Sequence, residues 1–139
     1  MITARPEMAS LSDDALIAGF EAGTLPAASF DHVAHVRVAW VYLGRLPPEV
    51  ALLRICAGIR QLATRVGHPG KYHATITWAY VALVSEHRRD GESFETFRER
   101  CPSLFDGNEL RRMYPDGALK AARTREAFVF PSRLVTHDI

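Results

Sequence analysis

Residues 30–43 read FDHVAHVRVAWVYL, and this stretch decides the fold class. Apolar side chains fill most of its positions, so that a helix formed here has few polar faces. Such a helix is typical of the centre of an all-α protein, where neighbouring helices cover it on several sides. The polar residues His32, His35 and Arg37 then become informative, because a polar group that is buried needs a partner.

Start and stop signals on both sides of this stretch predict further helices. Serine and aspartate side chains cap free amides at helix starts, while glycine and proline mark helix ends. The predicted helices cover about 12–22, Ser29 to Leu43, Pro48 to Val66, about 72–88, Ser93 to Arg100, and short stretches near 107–113 and 117–126. We therefore expect a compact, single-domain bundle over residues 1–139, with about four main helices and a short helical C-terminal tail.

Composition limits the partners that we expect. The chain has 139 residues, of which 47% are hydrophobic, enough for the core of one domain. Its 17 basic and 16 acidic residues give a net charge of +1, so we expect neither nucleic-acid nor membrane binding. Cys56 and Cys101 are too few and too far apart to suggest a disulfide framework or a thiolate metal site. A cytoplasmic protein with a small-molecule ligand or substrate is the resulting expectation.

Topology predicts that several histidines converge. Short connections favour antiparallel neighbours, so the helices that begin at Ser29 and Tyr72, two apart in order, should run in the same direction. Their N-termini then lie at one end of the bundle. His32 and His35 occupy the first turns of one helix, and His73 opens the other. We expect these three imidazoles to lie close together.

This arrangement suggests a metal site. Thr77 lies one turn behind His73, and Glu21 ends the first helix at the same side of the bundle. Three histidines with an optional carboxylate suit zinc, iron, nickel or copper better than calcium or magnesium, which prefer oxygen ligands. The predicted ligands are His32, His35, His73 and Glu21, and the spacing does not choose among the four metals.

Acid–base chemistry without a metal is an equally open interpretation. The positive end of a helix dipole disfavours imidazolium and leaves a ring nitrogen free as a base. His32 or His73 could then act as a general base, with Glu21, Asp31 or Thr77 as an orienting partner. The candidate catalytic residues are His32, His73 and Thr77.

Other polar and aromatic residues of these helices have alternative roles. Arg37 could pair with a core carboxylate or hold an anionic substrate, and Tyr72 is a candidate ligand contact. Trp40, Trp78 and Tyr80 are assigned to the core.

Two motifs carry a resemblance to a known family. Residues 30–43 and the segment YHATITWA at 72–79 resemble a family of small bacterial helical proteins with the motifs F-x-H-x-x-H-x-R-x-A-W-x-Y-L and Y-H-x-T-x-T. The closing FVFP at 128–131 is similar as well. The resemblance points to His32, His35, His73, Thr75 and Thr77. The family's second motif commonly has glutamate where this chain has Ala74, so a reaction that uses that carboxylate is not implied.

Two classes of function remain from the sequence. The first is a small-molecule enzyme with a histidine-centred site, either metal-dependent or acid–base. The second is a non-catalytic protein that binds a ligand or a partner through the same histidines and Arg37.

Overall fold

A computed structural model describes residues 5–131, and every regular element in that range is helical. The helices are α1 (Arg5–Ser10), α2 (Asp13–Ala22), α3 (His32–Leu43), α4 (Pro48–Arg65), α5 (Ala74–His87), α6 (Phe94–Arg100), α7 (Asn108–Met113) and α8 (Ala122–Glu126). Short 3-10 turns connect several of them. The predicted all-α class is confirmed for these residues. Within them, no helix combines the length and apolar character that crossing a bilayer requires.

Helix α3 lies at the centre of the molecule, as its apolar sequence predicts. It packs against α2, α4 and α5, and α5 also contacts α4 and α8. Side chains of α3 on several sides are buried, namely Val36, Val38, Ala39, Val41 and Tyr42. Hydrophobic burial around α3 therefore fixes the relative positions of the helices that carry the histidines.

Serine side chains cap two of the helices where the sequence predicts them. The Ser12 hydroxyl accepts a hydrogen bond from the Ala15 amide at 3.0 Å, and the Ser93 hydroxyl accepts one from the Thr96 amide at 3.1 Å. Each bond satisfies an amide that has no partner within its own helix. The starts of α2 and α6 thus follow from local sequence.

The two helices that carry the histidines begin later than predicted. Asp31 rather than Ser29 caps α3, because its carboxylate accepts from the Ala34 amide at 3.0 Å while Ser29 ends a 3-10 turn. Helix α5 begins after the predicted Tyr72, since His73 itself occupies the capping position. His73 is therefore part of the helix terminus and not a side chain within the first turn.

Gly58 allows α4 to approach α2 closely. A Cβ atom at this position would overlap the ring of Phe20, which is 4% exposed. The absence of a side chain at Gly58 is thus what lets the Phe20 ring pack against the backbone of α4.

Residues 114–131, here named the closing segment, are hydrogen-bonded to one another and to α5. The Tyr114 hydroxyl donates to the Val129 carbonyl at 2.6 Å. The Thr75 hydroxyl donates to the Ala127 carbonyl and accepts from the Val129 amide, both at 3.0 Å. Thr75 is 0% exposed, so this predicted ligand contact instead fastens the closing segment to α5.

Candidate functional site

A cavity of about 320 Å³ lies where the N-terminal turns of α3 and α5 meet α4. We name it the histidine cavity, because His32, His35 and His73 all line it, together with Thr77. Its remaining walls are mainly apolar and include Val36, Ala39, Ile55, Ile59, Ile76 and Val81. The structure therefore brings together at one cavity the three histidines and the threonine that the topological argument selected.

His35 presents an open ring nitrogen at this cavity. Its Nδ1 lies 2.8 Å from the Asp31 carbonyl oxygen. Because a carbonyl only accepts, Nδ1 carries the hydrogen and Nε2 keeps its lone pair. Nε2 makes no hydrogen bond with residues 5–131. It is also absent from the fully buried polar atoms that lack a partner, so it keeps some surface exposed to solvent. The His35 ring also packs against Phe30, with ring centroids 4.3 Å apart.

The surroundings of His35 keep its imidazole neutral. Burial is the main cause that lowers its pKa, and the nearby His32 lowers it further. The hydrogen bond to the Asp31 carbonyl opposes this effect without reversing it. At neutral pH the ring is therefore unprotonated at Nε2.

A backbone carbonyl also holds His32, but through Nε2 instead of Nδ1. Its Nε2 lies 2.9 Å from the carbonyl oxygen of Leu104 and must carry the hydrogen in that bond. The ring packs edge-to-face on Tyr80, with centroids 4.7 Å apart. Within the described residues Nδ1 has no partner and is not enclosed. His32 and His35 thus both line the histidine cavity, each with one ring nitrogen bonded to a backbone carbonyl and the other without a partner among the described residues.

His73 differs from the other two, because both of its ring nitrogens are engaged. Its Nδ1 accepts from the Ile76 amide at 3.1 Å, which requires an unprotonated Nδ1. Its Nε2 consequently carries the hydrogen and donates to the Leu119 carbonyl at 2.6 Å. In this arrangement His73, predicted as catalytic and as a metal ligand, caps α5 and binds the closing segment.

The predicted metal-ligand set is not assembled. Glu21 accepts a hydrogen bond from the Tyr42 hydroxyl at 2.6 Å and pairs with Arg54 at 3.4 Å, beside a different cavity. His73 has no nitrogen to spare. Among residues 5–131, no three histidine, cysteine, aspartate or glutamate side chains are placed to hold one ion. The residues present therefore do not fit the predicted three-histidine centre, and no step below involves a metal.

The hydroxyl groups of Thr77 and Tyr80 also belong to side chains that line the histidine cavity. The Thr77 hydroxyl donates to the His73 carbonyl at 2.8 Å, which leaves its oxygen free only as an acceptor. Tyr80 lines the cavity although the sequence assigned it to the core. Burial, followed by the charge of Asp106, raises the pKa of Tyr80, so its hydroxyl stays protonated. Its position three residues after Thr77, on the same face of α5, could have indicated this role.

Two charged side chains also line the histidine cavity, and their states differ. The Asp31 carboxylate is engaged as the cap of α3. Lys71 ends the turn before α5 and makes no ion pair with any described residue. Sequence analysis did not select Lys71, since nothing local in the sequence distinguishes a lysine at a cavity mouth from any other exposed lysine.

Arg37 follows the structural one of its two predicted alternatives. Its guanidinium donates to the carbonyls of Met8 and Leu11 at 3.3 and 2.6 Å, and pairs with Asp13 at 3.0 Å. Its side chain is 14% exposed, so these acceptors supply the partners that its buried charge needs. Arg37 joins α3 to the junction of α1 and α2 and does not line the histidine cavity.

Tyr72 also lies away from the histidine cavity. It packs beside Cys56 under the guanidinium of Arg60, which lies 4.6 Å from the ring centroid. Burial, together with the Cys56 thiol, raises the pKa of Tyr72 to about 12. Cys56 and Cys101 are both free and buried.

Comparisons of the chain with family models, curated proteins and solved structures find no match. The family resemblance carried by residues 30–43 and 72–79 therefore stays a prediction.

Proposed function

We propose that the protein is a small-molecule enzyme that moves a proton within the histidine cavity, with His35 as the base. The observation that carries this proposal is the pair of imidazoles that line the same cavity, each anchored through one N–H to a backbone carbonyl and each with no partner for its other nitrogen among the described residues. An N–H bond to a carbonyl fixes the tautomer and orientation of an imidazole and raises the basicity of its free nitrogen.

The proton transfer assigned to His35 is simple. Its Nε2 forms a bond to a proton on the substrate, the substrate bond to that proton breaks, and the electron pair remains on the substrate. The resulting imidazolium keeps its Nδ1–H bond to the Asp31 carbonyl. Because the neutral ring is favoured by burial, the imidazolium readily returns the proton to another substrate atom or to water.

His32 and Tyr80 supply complementary groups. Nδ1 of His32 accepts a hydrogen bond from a substrate O–H or N–H and thereby orients the substrate. The protonated Tyr80 hydroxyl donates a hydrogen bond to an oxygen on which charge develops. Packing of the His32 ring on Tyr80 keeps the two groups in fixed relative positions.

The cavity limits the size and polarity of the substrate. A volume of about 320 Å³ is at the lower end of ligand pockets, which favours a small molecule. Apolar walls from α3, α4 and α5 favour a substrate with an apolar body and few polar groups. These features support a small-molecule ligand rather than a macromolecular one.

A non-catalytic ligand-binding protein is the second candidate. The N–H groups of His32 and His35 bind backbone carbonyls and not carboxylates. A carbonyl stabilises an imidazolium less than a carboxylate does, and this observation favours hydrogen bonding over proton transfer.

The test is incubation of the protein in D₂O with a panel of small carbonyl, hydroxy and carboxylic compounds. NMR and mass spectrometry would detect products and deuterium that has replaced carbon-bound hydrogen. The variants are His35→Gln and His32→Gln. His68→Gln is the matched control, since His68 is an exposed histidine of a turn and does not line the cavity.

We expect conversion or exchange by the wild type and by His68→Gln, and loss of either in His35→Gln. Activity retained in both His35→Gln and His32→Gln would overturn the proposal. Binding of panel compounds with neither conversion nor exchange would replace it by the second candidate.

A further inference from the structure

The charge pattern of the histidine cavity narrows the substrate class, on the assumption that the proposed function holds. Lys71 and Asp31 are the charged side chains among its described lining residues. The Asp31 carboxylate accepts from the Ala34 amide at the positive end of the α3 dipole, so its charge is already partly offset. The Lys71 ammonium has no ion pair within residues 5–131. Lys71 is therefore the charged lining side chain that no described protein group pairs with.

Helix orientation adds to this positive character. The first turns of α3 and α5, helices of 12 and 14 residues, both contribute to the lining. The positive end of the α3 dipole is already set against Asp31, whereas the imidazole of His73, and not a carboxylate, caps α5. The positive end of the α5 dipole and Lys71 together make the cavity more favourable for an anionic group than for a cation.

One lysine and apolar walls point to a single negative charge. A phosphate monoester carries up to two charges and several acceptor oxygens, and burying it against Ile55, Ile59 and Val81 would leave most of them without partners. A carboxylate needs only one cation. The open nitrogens of His32 and His35, in turn, require a hydrogen-bond donor on the same molecule.

We propose that the substrate is a small hydroxycarboxylic acid with an apolar body, its carboxylate bound by Lys71 and its hydroxyl donating its one hydrogen to Nδ1 of His32, beside the base His35. The apolar body occupies the space between α3, α4 and α5. Lys71 is thus a specificity-determining residue of the proposed reaction, while the histidines act on the hydroxyl end.

Matched acids and amides test this assignment. The probes are lactate, 2-hydroxy-4-methylvalerate and mandelate, each compared with its carboxamide, which keeps the hydroxyl and the shape but loses the charge. Affinities are measured by NMR titration of the full chain, with the imidazole ¹⁵N signals of His32 and His35 as reporters. Lys71→Met removes the cation, and Lys120→Met, which makes the same charge change outside the cavity, is the control.

We expect at least one acid to bind about three- to tenfold more tightly than its amide. Lys71→Met should lower the affinity for that acid by the same factor and leave the affinity for its amide unchanged. Lys120→Met should change neither affinity. Equal binding of acid and amide, or a loss on Lys120→Met as large as on Lys71→Met, would overturn the substrate class while leaving the proposed function in place. No shift of either histidine with any probe would also overturn the substrate class, whereas the proposed function is decided by the wider panel in D₂O.

Discussion

Nε2 of His73 lies 2.6 Å from the carbonyl oxygen of Leu119, 46 residues further along the chain. With Nδ1 bonded to the Ile76 amide, this single imidazole joins the first turn of α5 to the closing segment. His73 is 7% exposed, so neither bond is readily replaced by water.

The stability of the protein should depend on both nitrogens of His73. His73→Ala leaves the Ile76 amide and the Leu119 carbonyl without partners, which should lower the free energy of unfolding by about 2–4 kcal/mol. His73→Asn keeps a capping acceptor but should not reach Leu119, so we expect a smaller loss, by about 1 kcal/mol. Urea denaturation measures both. Equal losses of unfolding free energy in the two variants would mean that the capping bond to the Ile76 amide does not stabilise the fold.

A methyl group at position 58 should destabilise the protein. Alanine is a better helix former than glycine by about 1 kcal/mol, but the overlap of its Cβ with the Phe20 ring outweighs that gain. We expect Gly58→Ala to cost about 1–3 kcal/mol of unfolding free energy. Gly70→Ala is the control, since its Cβ would meet no atom within 4 Å. A melting temperature of Gly58→Ala at or above the wild-type value would contradict this account of α2–α4 packing.

Replacing Arg37 by lysine should destabilise the protein. A lysine ammonium cannot match the fork of donors that reaches Met8, Leu11 and Asp13, so Arg37→Lys should cost about 1–3 kcal/mol. Arg45→Lys, at an exposed pair with Asp14, should change stability by less than about 0.5 kcal/mol. Chemical denaturation of the two variants side by side makes the comparison. Similar small effects at both positions would argue that Arg37 is free to serve a ligand instead.

Lowering the pH should reduce the stability of the protein, because His35 is then protonated. Its folded pKa lies below the ordinary value of 6.5, so the unfolded chain binds the proton more tightly. The favourable contribution is complete above about 6.5 and is lost as the pH falls through the lowered folded pKa. The wild type should therefore lose stability below pH 6.5 more steeply than His35→Gln. Parallel curves for the two proteins would mean that His35 titrates normally in the fold.

Metal analysis separates the predicted metal centre from the observed arrangement. Untagged wild type and His73→Asn should both lack stoichiometric zinc, iron, nickel and copper, because His73 and Glu21 are engaged elsewhere. Elemental analysis of the purified proteins gives the answer. A metal present at one equivalent in the wild type and absent from His73→Asn would show that His73 leaves its backbone partners to bind it.

Local sequence predicts much of the helical structure, and its failures have physical causes. Ser12 and Ser93 cap where expected because side-chain capping is a local interaction. The capping role of His73 was missed, since imidazole is not among the preferred caps. Helix α1 and the division of residues 117–126 into a 3-10 turn and α8 were also missed, because such short helices depend on tertiary contacts.

The candidate site was predictable only in part. His32, His35 and His73 lie at one cavity, as the topological argument predicts. Which nitrogens remain open depends on carbonyls far along the chain, such as that of Leu104, 72 residues from His32. No local pattern encodes such a bond, so the difference between a base and a structural cap required the tertiary structure.

His35 and His32 line one cavity and are held by backbone carbonyls through opposite ring nitrogens, Nδ1 of His35 and Nε2 of His32. Long-range ¹H–¹⁵N NMR of the imidazole rings at pH 7 tests this arrangement most directly. The structure predicts the Nδ1–H tautomer for His35, with an unprotonated nitrogen shift at Nε2, and a hydrogen on Nε2 of His32. A doubly protonated His35, or the Nε2–H tautomer at His35, would contradict this prediction.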